Sequence, residues 1–209
     1  MPAKNLALVK PPAKIGRPMS FDKEAALAKA MQLFWQQGYE GTSLADLTAA
    51  MNITPPSLYN AFGDKEQLFL AAMDRYMGTI GSAAKSALED SPTAREAIRL
   101  VLEQTAREHV RSSHPRGCML VASANNGSAA PAAALQYVER YLHLQQTALR
   151  ERIERGQREG DVAASEDAAG LADFYFSVIS GMATLARNGA NREQLLAVCA
   201  NAMRAWPEK

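Results

Sequence analysis

The chain has little of what most often gives a function away. It holds two cysteines in 209 residues, Cys118 and Cys199, and no Cys-x-x-Cys pair. A disulfide framework is therefore excluded, and a reducing cytoplasm is the simpler setting. No His-Glu-x-x-His, Gly-x-Ser-x-Gly, Glu-x-x-His or P-loop pattern occurs, which removes the common signatures of hydrolases, metalloenzymes and nucleotide-binding enzymes. The carboxylates mostly alternate with arginine, as in Arg150-Glu151-Arg152-Ile153-Glu154-Arg155, the pattern of a solvated helix face. No run of about 18 consecutive apolar residues argues for a membrane span. The apolar stretch Leu6–Val9 is too short for a signal peptide. No helix pairs a strongly basic face with a broad aromatic one, so a membrane-surface helix fits poorly. Strand-like alternation is missing throughout. Net charge is only +1, so no general attraction to polyanions follows.

The distribution of that charge is more informative. Lys4, Lys10, Lys14 and Arg17 are the only charges before Asp22. The first seventeen residues carry +4 and the rest of the chain −3. With Pro2, Pro11, Pro12 and Pro18, residues 1–19 read as a flexible basic arm. Such an arm suits phosphate or minor-groove contact, and a merely solubilising tail fits the composition equally. Gly16-Arg17-Pro18 matches the core of an AT-hook, but Ile15 stands where the full motif needs another arginine.

The densest pattern lies between Thr42 and Lys65. Ser43 followed by Asp46 makes a capping box for a short helix from Leu44 to Met51, with Leu44, Leu47 and Met51 on one face. Asn52-Ile53-Thr54 is a turn. Thr54 can cap a second helix, and Pro55 and Pro56 are tolerated in its first turn, where the N–H groups have no partner. Gly63 ends it. Leu58 and Phe62 face inward, and Ser57, Tyr59 and Asn60 face out. That outward face carries no charge and is made of small polar groups plus one aromatic, which suits entry into a major groove. A plain helical hairpin has the same spacing.

Around this stretch the chain reads as helices only. The first runs from about Phe21 to Gln37 with Ser20 as N-cap and Leu27, Ala30, Met31 and Phe34 buried. A fourth opens at Asp64, with Gln67 completing a capping box, and carries Phe69, Ala72, Met73, Tyr76 and Ile80 on one face. Gly81 to Pro92 weakens the pattern and is a candidate break. Five further helices follow. One opens at Ser91-Pro92 and reaches about Ser112, and a short one covers Cys118 to Ala124. A long one is capped by Ser128 and reaches about Glu159. One runs from Ser165 to Asn188, and the last from Asn191 to Trp206. The last two carry apolar stripes flanked by small residues. Leu171, Phe174, Val178, Met182, Leu195, Val198 and Met203 are candidates for a two-fold dimer interface, or for internal packing.

The segment from Phe34 through Gly38-Tyr39 and Thr42-Ser43 to Leu58-Tyr59, Phe62, Lys65 and Glu66 resembles the TetR family of bacterial transcriptional regulators. The specific likeness covers about residues 17–70. The Gly16-Arg17-Pro18 opening, Gly117-Cys118 and Leu185–Ala190 look like a subgroup that includes AcuR- and ComR-type repressors. The resemblance implies an all-α homodimer of about nine helices. It divides the chain into the arm 1–19, a three-helix helix-turn-helix DNA-binding domain 20–66 and a ligand-binding and dimerisation domain 67–209. The implied function is that of a cytoplasmic repressor, released from double-stranded operator DNA by a small-molecule inducer, with no catalytic activity and no cofactor. It implies that Lys65, Thr42 and Ser43 hold phosphate, that Tyr59 contacts phosphate or a base edge, that Thr54, Pro55, Ser57 and Asn60 face the groove, and that Arg17 reaches the neighbouring backbone or minor groove. Leu58 belongs to the same reading helix and is counted with these candidates. Pro55-Pro56 departs from the small residues common there in the family and favours apolar contact with a thymine methyl.

The inducer pocket is expected among His109, Cys118, Met119, Tyr137, Tyr141 and Phe174, although aromatic and Met residues at this spacing equally describe a core. Arg116 and the helix following Gly117 would both lower the pKa of Cys118, which leaves a reactive sensor thiol and an inert buried cysteine as alternatives. His109, His114 and Cys118 stand five and four residues apart across a proline break, a spacing compatible with a metal site; three scattered ligands are common by chance, and no metal is expected.

Overall fold

A computed structural model describes residues 21–80, 82–125 and 130–208. Among them are ten helices and no strand: α1 Lys23–Gln37, α2 Leu44–Met51, α3 Pro55–Phe62, α4 Lys65–Thr79, α5 Ser82–Asp90, α6 Ala94–Glu108, α7 Met119–Asn125, α8 Ala132–Glu159, α9 Ala168–Arg187 and α10 Arg192–Arg204. The fold is all-α, as expected, with one helix more than the sequence suggested. Arg17, Ser20, Gly81 and Ser128 lie outside the described residues, and with them the arm and the cap assigned to α8.

The first four helices begin where side chains satisfy otherwise unpaired N–H groups. Asp22, not Ser20, caps α1, accepting from the N–H of Glu24 at 2.9 Å and of Ala25 at 3.1 Å. Its carboxylate also suits the positive end of the helix. Ser43 and Asp46 form the reciprocal capping box of α2, Thr54 caps α3, and Asp64 with Gln67 forms the capping box of α4. Asn52 takes the left-handed conformation (φ 56°) between α2 and α3 and is the one non-glycine residue with positive φ among those described. Gly63 ends α3 at φ 77°, where a Cβ would lie 1.5 Å from Gln67 Oε1.

Two apolar cores follow. The first joins α1–α4 to α7 and the start of α8: Phe34, Trp35, Leu47, Leu58, Phe69, Met73 and Tyr76 pack with Met119, Leu120 and Val138. The second lies among α5, α6, the far half of α8, α9 and α10, with Ile98, Leu102, Ile153, Tyr175, Met182, Leu195 and Cys199. Each fully buried Leu, Ile, Phe or Met contributes about 1.5–3 kcal/mol. The 28 residues of α8 span about 42 Å at 1.5 Å per residue, enough to enter both cores.

Several expected boundaries move. Residues 82–90 form α5 rather than a break. Thr93, whose hydroxyl accepts from Glu96 N at 3.1 Å, opens α6 in place of Ser91-Pro92. Asp167 caps α9 and Ser165 lies before it. α9 is also long and apolar enough, by length and composition, to cross a membrane, a property that counting uninterrupted apolar residues misses because Asp173 divides the run. Only 28% of that window is buried, so much of its apolar surface has no partner within the chain.

Candidate nucleic-acid interface

The turn between α2 and α3 sets the second helix against the first core with one face free. Leu58 is fully buried and Phe62 is 8% exposed. Thr54, Pro55, Pro56, Tyr59 and Asn60 are exposed and Ser57 is half-buried. Tyr59 is 50% exposed. No charged residue lies in α3, so its outward hydroxyl and amide groups face solvent without a competing ion pair; its first turn offers no free N–H, since Pro55 and Pro56 have none and that of Ser57 donates to Thr54 Oγ1. The Thr54 and Ser57 hydroxyls are 2.9 Å apart, which ties the first outward residue of the helix to its cap.

Cations stand at the rim. Lys65, first residue of α4, places Nζ 4.1 Å from the centroid of the Tyr39 ring. Contact with the ring face holds the ammonium beside the N-terminus of α4, an end that Asp64 caps and that Glu66 and Glu40 flank. Burial, followed by the neighbouring carboxylates of Glu66, Glu40 and Asp64, raises the pKa of the Tyr39 phenol, so the ring stays neutral. Lys23 lies over the Phe62 ring at 5.1 Å. It was not among the sequence candidates; nothing in its own neighbourhood along the chain signals that α1 begins beside the end of α3.

Two candidates do not present their side chains to a groove. Leu58 is part of the core. Thr42 is fully buried, and its hydroxyl donates to the Gly38 carbonyl at 2.7 Å, closing the turn after α1. Ser43 is exposed, but its hydroxyl donates to the Asp46 carboxylate at 2.6 Å. That hydrogen bond and the one from the Ser43 backbone lower the pKa of Asp46.

Comparison with known proteins decides what this arrangement is. Residues 26–72 match the model of bacterial regulatory proteins of the tetR family, and residues 94–203 match the tetracyclin repressor-like C-terminal domain. The chain is 34% identical over 92% of its length to the HTH-type transcriptional repressor ComR of Escherichia coli (strain K12), covering 92% of that protein. It is 32% identical to BdcR of the same strain, over 90% of each. The chain belongs to the TetR family. Among solved structures, the TetR family transcriptional regulator CifR, a cysteine mutant complexed with 26 bp double-strand operator DNA, superposes with a TM-score of 0.88 at 42% identity, over 92% of this chain and 100% of that one. This TetR-family chain is thus a DNA-binding transcriptional regulator rather than an enzyme, as its sequence led us to expect.

The expected inducer pocket is only partly assembled in this TetR chain. Cys118 and Met119 lie in the first core, with Tyr137 and Tyr141 packed against it. The Tyr76 hydroxyl of α4 donates to Cys118 Sγ at 3.3 Å, and burial, then the neighbouring thiol, pushes the Tyr76 phenol well above its ordinary pKa. His109 is 7% exposed, and its Nδ1 has no hydrogen-bond partner. Burial, with a smaller contribution from His114, depresses its pKa to about 4. Phe174 does not join them: it is 41% exposed and meets the ring of Tyr175, a residue of the other core. The residues that α9 turns inward are Ala172, Tyr175, Met182, Ala183 and Ala186, and Phe174 falls beside that stripe. A cleft of about 190 Å³ lies elsewhere, between the Gln37–Gly41 turn, Phe69 and the α8 residues Ala134, Leu135 and Val138.

The remaining candidates sort by exposure. Met182 and Leu195, assigned to a dimer interface, are fully buried within one chain; Met182 Sδ lies 3.5 Å from Cys199 Sγ. Leu171, Val178, Val198 and Met203 are half-buried. The Arg116 guanidinium is turned to the Ala190 carbonyl rather than kept for the thiol. His114 stacks on Trp35 at 4.6 Å, and no group of three metal-ligating side chains forms among the described residues.

Proposed function

We propose that this chain is a cytoplasmic homodimeric repressor that reads two half-sites of an operator with α3 of each copy and leaves it when a small molecule wedges between α4, α6 and α7. In this reading residues 1–19 are an arm, 20–66 read DNA, and 67–209 bind ligand and the second copy. Tyr59, Asn60, Ser57, Thr54 and Pro55 face the groove. Lys65, Lys23 and Arg17 hold phosphate.

The observation that carries the switch is the link from Tyr76 to Cys118. Tyr76 sits on the helix that leaves the reading head, and its hydroxyl is bonded into a core where Trp35 Nε1 and His109 Nδ1 are buried without partners. Unpaired buried polar atoms cost about 1–3 kcal/mol each. A ligand that supplies partners for them, and so displaces α4, would bind the DNA-incompetent state more tightly, as release requires. The dimer reading is supported by α9, where Phe174 and Leu185 are 41% and 44% exposed and a Cβ on Gly181 would meet nothing within 4 Å. Operator mapping by footprinting, followed by a small-molecule screen for release of the mapped fragment, tests the reading. Two protected half-sites and at least one releasing compound are expected. A single protected half-site, or a footprint that no compound alters, overturns it.

A further inference from the structure

We propose that Arg187, at the far end of α9, is a positioning residue for DNA reading: it ties the reading head to the dimerisation helix and thereby sets the half-site spacing that the dimer accepts. The inference rests on the dimer reading above.

α1 ends with carbonyl groups that have no donor within the helix, and its last turn holds no basic residue. The missing partner comes from 152 residues away. Arg187 Nη1 donates to the Trp35 carbonyl at 3.2 Å, supplying both a donor and the positive charge favoured at a helix C-terminus. Trp35 is 1% exposed and is itself held, its ring edge-on to Tyr76 of α4 at 5.0 Å and stacked on His114 at 4.6 Å. A displacement of the end of α9 is therefore felt at α1 and α4 together.

The loop between α6 and α7 fills the seam between the two helices and is fastened on both sides. Gln32 Nε2 of α1 donates to the Ser113 carbonyl at 3.3 Å. Gly117 N donates to the His109 carbonyl at 2.8 Å, and Arg116 donates to the Ala190 carbonyl just beyond α9. Gly117 has φ +84°, and a Cβ there would lie 2.7 Å from the Ala183 carbonyl oxygen and 2.8 Å from Arg187 Cγ. Its backbone thus lies directly on α9 and on the aliphatic stem of Arg187.

The chain leaves the reading head along α4. The first core, the Gln32–Ser113 hydrogen bond and the Trp35–His114 stack also fasten the head to α7, α8 and the loop before α7. Arg187 adds a hydrogen bond from α9 directly to α1, which resists roll of the head relative to the proposed dimerisation helix. In a two-fold dimer built on α9 the roll of each head would change the separation of the two α3 helices, which must match half-sites one DNA turn, about 34–36 Å, or a multiple of it apart. Arg187 therefore acts on which spacings are accepted, whereas α3 acts on which bases are.

The test uses the full chain and three operators: the mapped sequence, and the same half-sites with the spacer one base pair longer or shorter. Arg187→Met keeps the aliphatic stem against Gly117 and removes the donor and the charge; Arg187→Lys restores both in part. We expect the unsubstituted dimer to prefer its own spacing by about tenfold or more. Arg187→Met should fall to within about threefold across the three operators while remaining dimeric by sedimentation and binding an isolated half-site as before, and Arg187→Lys should recover most of the preference. An unchanged spacing preference in dimeric Arg187→Met, with or without a lower melting temperature, overturns the inference and leaves the dimer reading intact. An unsubstituted protein that sediments as a monomer at concentrations where it binds operator overturns the dimer reading, and this inference with it.

Discussion

Tyr59 on α3 and Phe174 on α9 are both large side chains left in solvent, 50% and 41% exposed, and their surroundings are opposite. Tyr59 sits on a helix of eight residues among hydroxyl and amide groups, with cations placed at the rim and an ordered cap at the start. Phe174 sits on a helix of twenty, among Leu171, Val178, Gly181 and Leu185. A phenol amid polar groups can hydrogen-bond to a polyanion; a phenyl ring amid apolar and small groups gains only by excluding water. A single exposed ring needs no explanation by itself; it is the neighbours that differ, favouring a polar occupant beside Tyr59 and an apolar one beside Phe174 in the proposed reading.

The contrast can be broken most forcefully at α9. Phe174→Glu places a charge where the second copy is expected, and charged groups are depleted at interface centres. We expect monomers by sedimentation with retained helical circular dichroism, and operator affinity lower by roughly thirtyfold or more, a hot-spot-sized loss. A dimeric Phe174→Glu protein would return α9 to the status of a partly exposed bundle helix. At α3, Tyr59→Ala should cost about 1–3 kcal/mol of operator binding without altering the sedimentation of the dimer, read by fluorescence anisotropy against matched and scrambled DNA. If both DNAs lose equally, Tyr59 touches only phosphate. Lys65→Ala should weaken matched and scrambled DNA alike and reduce the slope of log affinity against log salt by about one. An unchanged slope would remove Lys65 from the interface. The smallest effect belongs to the frame of the helix: Thr54→Ala should lower unfolding free energy by about 1 kcal/mol, as loss of an N-cap does, seen in urea melts.

How much of this was legible in the sequence differs between the same two regions. In the reading head, Ser43, Thr54, Asp64 and Gln67 mark helix starts through bonds made within three residues, so α2, α3 and α4 were placed nearly to the residue. Ser20 and Asp22 both have side chains that can cap, and only geometry shows that Asp22 takes the role. In the body, α5 was read as a break because Ser82–Asp90 offers Leu88 as its only large apolar side chain. Ser91, Pro92 and Thr93 are all residue types that open helices, and only the structure shows that Thr93 is the cap. The stripe on α9 was legible as apolar, but not as divided. Met182 faces Cys199 inside the chain while Phe174, on the same helix, faces out, and a wide stripe does not say which edge another helix will cover. Lys23 over Phe62 and Arg187 on Trp35 are long-range pairs with no pattern in either partner's neighbourhood. The lining expected for the inducer pocket mixed the two cores for the same reason: residue type and spacing put Phe174 with Tyr137, and only packing separates them.

Gly63 has a consequence for anyone redesigning the recognised sequence. The outward positions 55, 59 and 60 are exposed and can be varied together, whereas Ser57 is half-buried with its hydroxyl against that of Thr54. Position 63 is kept out of such a library, because its φ of +77° strains any L side chain and the Gln67 amide would have to swing away from the start of α4 to make room. Position 52 tolerates little beyond asparagine or glycine at its positive φ. The reading surface is thus a small variable window between two fixed posts. Selections confined to that window should change operator preference at unchanged stability, and selections that stray onto the posts should return proteins destabilised by about 1–3 kcal/mol.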